Sequence, residues 1–103
     1  MCIPQKGDVL SIKADLSYYY MPNFNPKDRW LVILSWHTEA SVDSYNDYVP
    51  GENMLLIKKL YRDCRYNPNG KEIEISYDYT YQRGLKKDEV QIVGKMQERW
   101  ELV

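Results

Sequence analysis

Residues Trp30 to Trp36 read Trp-Leu-Val-Ile-Leu-Ser-Trp, apolar at all but one position, between the turn residues Asn25-Pro26 and a polar stretch that starts at His37. A run this short, apolar without alternation and bounded by turn residues, fits a β-strand covered on both faces. An amphipathic helix would space its apolar residues at three and four and run longer.

Other segments carry strand patterns of their own. Behind the turn signal Gly7-Asp8, Leu10, Ile12, Ala14 and Leu16 alternate with Ser11, Lys13 and Asp15, the period of a half-buried strand. Residues 17–29 hold two prolines and two asparagines and read as a long loop. Met54 to Leu60 is a further apolar strand with Lys58 and Lys59 inside it. Ile73, Ile75, Tyr77 and Tyr79 alternate with Glu72, Glu74, Ser76 and Asp78, and the turn Asn67-Pro68-Asn69-Gly70 before them predicts a hairpin with the Met54 segment. Gln82-Arg83-Gly84 ends that strand.

Two segments read differently. Val42, Tyr45, Tyr48 and Val49 share a helical face, with Ser41 or Asp43 as cap, which predicts one or two helical turns closed by Pro50-Gly51. From Lys86 to Val103 the pattern predicts a strand to about Val93, a break at Gly94, a turn or short helix, and a brief strand at Arg99 to Leu102. Helical spacing of Val90, Val93, Met96, Gln97 and Trp100 is the alternative there. The expected fold is mainly β, a small partly open barrel or sandwich with one or two short helical segments.

At 103 residues the chain has room for one domain, and that length buries a core without disulfide or metal staples. A net charge of -1 excludes a global field that would pull it onto nucleic acid or an acidic membrane, so any nucleic-acid role needs a local basic patch. No stretch approaches the roughly 20 apolar residues of a membrane span, and the start, Met1-Cys2-Ile3-Pro4-Gln5-Lys6-Gly7, has no apolar core of a secretory signal. Cys2 and Cys64 form no CxxC pair and read as two free thiols in the cytoplasm. With one histidine and two cysteines there is no metal-ligand cluster at a recognisable spacing, and no cofactor motif appears.

Four places resemble the MazF/PemK/CcdB-type toxins. Pro4-Gln5-Lys6-Gly7-Asp8-Val9-Leu10 is similar to the opening of their first strand, and Asp28-Arg29-Trp30-Leu31-Val32-Ile33-Leu34-Ser35 to their second, which follows a loop of comparable length. Met54 to Ile57 stands about where their third apolar strand does, and Gly84-Leu85-Lys86-Lys87-Asp88-Glu89-Val90-Gln91 looks like a later stretch of theirs. The resemblance implies a partly open barrel with an SH3-like core, usually a homodimer, and a metal-independent endoribonuclease acting on single-stranded RNA. It carries the family's transition-state arginine onto Arg29. The family's threonine or serine after the third strand has no counterpart near Lys58-Lys59-Leu60, Trp30 replaces the proline after the arginine, and the C-terminal helix is shortened or absent. CcdB-type members keep this fold and act on a protein partner, so the fold alone does not decide the activity.

RNA cleavage needs a base, an acid and cations for the developing phosphorane charge. Arg29 is the candidate cation, or an ordinary strand-edge charge, and His37, the only histidine, is the candidate base or a loop histidine. Lys58, Lys59, Arg62, Arg65 and Lys71 make a local basic cluster with Tyr61 and Tyr66 interleaved, a pattern that tracks a phosphate backbone while bases stack on the rings. Asp63, Glu72 and Glu74 dilute it, and a solvated hairpin is the plain alternative. Cys64 lies among cations that lower a thiol pKa, without a histidine nearby in sequence. Ten tyrosines are the chain's most unusual feature. Tyr18, Tyr19 and Tyr20 in one loop and Tyr45 and Tyr48 in another suit a partner contact, because tyrosine brings a large area and a polar tip at little rotamer entropy. The Tyr77 row fits either a partner contact or the inward face of its strand. Two functions follow: an RNA-binding or RNA-cutting barrel, or an accessory or mobile-element protein that binds a protein partner, an antitoxin or another, through tyrosine-rich loops.

Overall fold

The structure, a computed structural model, describes residues 3–14, 25–79 and 84–96. In chain order it forms β1 (Asp8–Ile12), β2 (Arg29–His37), β3 (Ser41–Val42), β4 (Tyr48–Val49), β5 (Asn53–Lys59), β6 (Glu72–Tyr77), a 3-10 turn (Lys87–Glu89) and β7 (Val90–Lys95). β1, β2, β5, β6 and β7 make one antiparallel sheet in the order β6-β5-β2-β1-β7, and β3 and β4 pair as a separate ribbon. The apolar run at Trp30 is thus the middle strand. No helix among the described residues is long and apolar enough to cross a membrane.

Alternation sorts the side chains into two layers. Leu10, Ile12, Trp30, Val32, Leu55, Ile57, Ile73, Ile75 and Tyr77 turn to one face and, with Ala14 and Leu85, form the main core. Val9 and Leu31 turn to the other face, where Leu60 covers them and Ile33, Cys64, Tyr66 and Met96 pack alongside. The segment 60–71 therefore lies over the outer face of the sheet at one end. This is why Trp30, Leu31 and Val32 are all buried in succession. The expectation of two-sided burial holds for these three and fails at Leu34, which is 49% exposed. Between Val32, opposite Ile57, and Leu34, opposite Leu56, the register shifts and Ile33 is the extra residue of a bulge.

The Met54 and Ile73 strands pair as expected, from Asn53 opposite Tyr77 to Lys58 opposite Glu72. Their connection is long rather than tight. The Asn67 turn sits inside it, closed by Gly70 N–H donating to Asn67 O at 3.0 Å. Leu85 then returns to the end of β6, its N–H donating to Ser76 O at 2.8 Å while Asp78 N–H donates to Leu85 O at 2.7 Å. A Cβ on Gly84 would lie 2.0 Å from Ser76 Oγ and 2.5 Å from Ser76 O, so this close approach needs glycine. From that corner the chain runs through the 3-10 turn into β7, on the opposite edge of the sheet.

Two expectations are corrected. Residues 41–49 form the β3–β4 hairpin and not helical turns. Asp43 Oδ1 accepts from Tyr45 N–H at 2.8 Å and from Asp47 N–H at 3.0 Å, and Asn46 takes a left-handed φ of 62°. These local bonds satisfy the backbone in a turn and outcompete the helix that the apolar spacing suggested. Gly94 does not break the last strand. β7 continues to Lys95 with a register shift that leaves Val93 as the extra residue between Ile92, opposite Leu10, and Gly94, opposite Val9. Before the strand stands a 3-10 turn that the pattern did not announce, at Lys87–Glu89, where the Glu89 side chain accepts from Lys86 N–H at 2.9 Å. The strand expected at Arg99 to Leu102 lies outside the described residues.

Candidate functional site

The basic cluster is the first candidate, and its cations have local partners. Lys58 faces outward opposite Leu31, yet it is buried. Its Nζ donates to Tyr66 Oη at 3.2 Å and to Pro68 O at 3.3 Å, and it stands 4.7 Å from the centre of the Tyr66 ring. The ammonium thereby holds segment 60–71 against the sheet. Lys59 turns to the opposite face and pairs with the buried carboxylate of Asp28, Nζ to Oδ2 at 3.1 Å. Arg65 pairs with Asp63 and lies 6.0 Å from the Tyr61 ring centre. Arg62 is exposed and has no described partner among these residues. Lys58 and Lys59, adjacent in sequence, thus belong to opposite faces, as the period of a strand requires.

Replacing Lys58 by Met should keep the stem's packing and remove only the ammonium. Loss of its hydrogen bonds to Tyr66 and Pro68 is expected to cost about 1–2 kcal/mol in a urea titration.

Arg29 opens β2 and His37 closes it. Eight residue steps of about 3.3 Å hold them on the order of 26 Å apart, so one chain does not bring them into a shared site. Arg29 Nη1 donates to the backbone carbonyls of Lys27 at 3.2 Å and Asp28 at 3.3 Å, which folds the guanidinium onto its own loop. Sequence reasoning missed Asp28, the buried partner of Lys59. A lone carboxylate before a strand carries no signal that it will be buried.

The tyrosines divide sharply. Tyr77 is core, and burial first, then the charge of Asp78, raises its phenol pKa above the ordinary value. Tyr79 is half-buried and donates to Pro50 O at 3.1 Å. Tyr61 and Tyr66 belong to segment 60–71. Tyr18, Tyr19 and Tyr20 lie outside the described residues. Tyr45 and Tyr48 are 82% and 73% exposed, and Val42, directly across from Tyr48, is 62% exposed.

These three residues crown an arm that is firmly built. β1 reaches only to Leu31 along β2, and among the described residues the far half of β2 is flanked by β5 alone. Beyond it, Thr38 N–H donates to Glu52 O at 2.8 Å, and Glu52 N–H donates to Thr38 Oγ1 at 2.7 Å. Asp43 then fixes the turn, with Asp43 N–H donating to Asp47 O at 3.0 Å. The outer face of the ribbon beneath carries the cross-strand pairs Leu34–Leu56 and Trp36–Met54. Large rings are therefore presented to solvent on a backbone already held in one conformation.

Comparison with protein-family models, curated proteins and solved structures finds no match to this chain.

Proposed function

We propose that this chain is a protein-interaction module that docks through the arm of residues 38–52. The observation that carries this reading is the exposure of Tyr45 and Tyr48 on a hairpin whose base and turn are both fixed by hydrogen bonds. A preordered aromatic surface loses little entropy on binding, and burying it returns the apolar area now held in water. The RNA reading finds less support, because Lys58, Lys59 and Arg65 are engaged within the chain and Arg29 is turned onto backbone carbonyls.

The five-stranded antiparallel sheet and its corner at Leu85 are compatible with the partly open, SH3-like barrel of the MazF/PemK/CcdB type. Members of the CcdB type act on a protein, which agrees with this reading. The test uses purified protein in two assays. Single-stranded RNA, with and without chelator, is expected to stay uncut, and Arg29→Ala to change nothing. Pull-down from lysate of the source cells is expected to recover a protein partner with the wild type and to lose it with Tyr45→Ala/Tyr48→Ala. Arg29-dependent RNA cutting, or recovery of the same partner by the double variant, would overturn the proposal.

A further inference from the structure

The arm carries Glu39, Asp43, Asp47 and Glu52, and no lysine or arginine occurs anywhere between Arg29 and Lys58. Glu39, Asp43 and Asp47 are exposed, while Glu52 places Oε2 in a buried position without a hydrogen-bond donor. This anionic stretch stands in a chain whose overall charge is only -1. Its local field repels phosphate and attracts cations.

The tyrosines point the same way. On segment 60–71 each ring has a cation of the same chain near it, Lys58 with Tyr66 and Arg65 with Tyr61. Among the described residues, the rings of Tyr45 and Tyr48 have none. An aromatic face attracts a guanidinium or ammonium, arginine more often than lysine. Asp43 is tied into the turn through Oδ1. Glu39 and Asp47 make no described side-chain bond and can pair with an incoming cation.

Resting on the reading of the arm as a docking element, we infer that its partner presents an arginine-rich segment, with guanidinium groups stacking on Tyr45 and Tyr48 and pairing with Glu39 and Asp47. The probes are fluorescein-labelled decapeptides of alternating arginine and glycine, of lysine and glycine, and of glutamate and glycine, with a single-stranded RNA oligonucleotide beside them. Fluorescence anisotropy is read at low and high salt, and circular dichroism confirms that each variant folds.

The arginine peptide is expected to bind more tightly than the lysine peptide, and salt should weaken it. The glutamate peptide and the RNA should not bind the arm. Tyr45→Ala/Tyr48→Ala should weaken arginine-peptide binding about tenfold, whereas Tyr45→Phe/Tyr48→Phe, which keeps the rings, should retain it. Glu39→Gln/Asp47→Asn should remove most of the salt dependence. No binding of the arginine peptide, or binding that the double alanine variant leaves unchanged, would overturn the inference. A photo-crosslinker at position 45 separates the two levels. If it captures a partner whose contacting segment lacks arginine, the partner chemistry falls and the docking role stands. If position 45 captures nothing, both fall.

Discussion

Trp30→Ala is expected to unfold the domain or to leave it destabilised by about 3–5 kcal/mol in a denaturant titration. Trp30 has no solvent exposure and sits on the central strand, paired with Leu10 on one side and Lys59 on the other. Truncation would remove the largest fully buried side chain of the main core and leave a cavity between β1 and β5. Trp30→Phe sharpens the expectation. The indole Nε1 is buried without a hydrogen-bond partner, so phenylalanine gives up area but also removes an unpaired polar atom. Its cost should therefore be well under that of alanine. Equal costs for the two variants would mean that packing around this ring is not what holds the sheet together.

The second large effect is expected at Gly51, at the base of the arm. A Cβ there would fall 1.9 Å from Thr38 O and 2.7 Å from His37 Cε1. The first of these is backbone and has little room to yield, so Gly51→Ala must push the two sides of the arm apart. The hydrogen bonds that join Thr38 to Glu52 would open with it. Overpacking of this kind costs about 1–3 kcal/mol. Because the arm projects from the sheet, the larger consequence is local. Hydrogen exchange should speed up through residues 38–52 while the amides of β1 and the β2–β5 core stay protected. Partner capture should fall although Tyr45 and Tyr48 are untouched. Unchanged exchange in the arm would contradict the preordering on which the docking role depends.

These two sites differ in how far the sequence announced them. The run around Trp30 was legible because an unbroken apolar stretch of strand length has few other folds open to it. The alternation at Ile73, Ile75 and Tyr77 was legible for a different reason, since a period of two fits a half-buried strand, and it placed Tyr77 in the core as one of two readings. Gly51 was visible only as a turn residue. Its close approach to Thr38 comes from the pairing of distant segments. The hairpin at residues 41–49 looks helical in sequence because Val42, Tyr45, Tyr48 and Val49 fall at helical spacing. Spacing of apolar residues reports a buried face, and this segment buries none: Val42, Tyr45 and Tyr48 stand in solvent, where the Asp43 bonds decide the conformation.

The basic cluster shows the converse. Lys58, Lys59, Arg62 and Arg65 look like one surface in sequence, but a strand sends Lys58 and Lys59 to opposite faces, and Tyr66 and Asp28 then take them up. Charge density along a chain becomes a surface property only after side-chain direction and pairing are known. The tyrosine excess held more, since exposure without a local partner could be seen at Tyr45 and Tyr48 once the arm was placed.

Whether this arm is the contact surface can be read out in one experiment, photo-crosslinking in lysate of the source cells, with p-benzoylphenylalanine placed in turn at Tyr45, at Arg62 and at Glu74, all exposed positions on different parts of the molecule. A discrete protein adduct is expected at position 45 and none of comparable yield at 62 or 74. An RNA adduct at position 62, with nothing captured at 45, would contradict it.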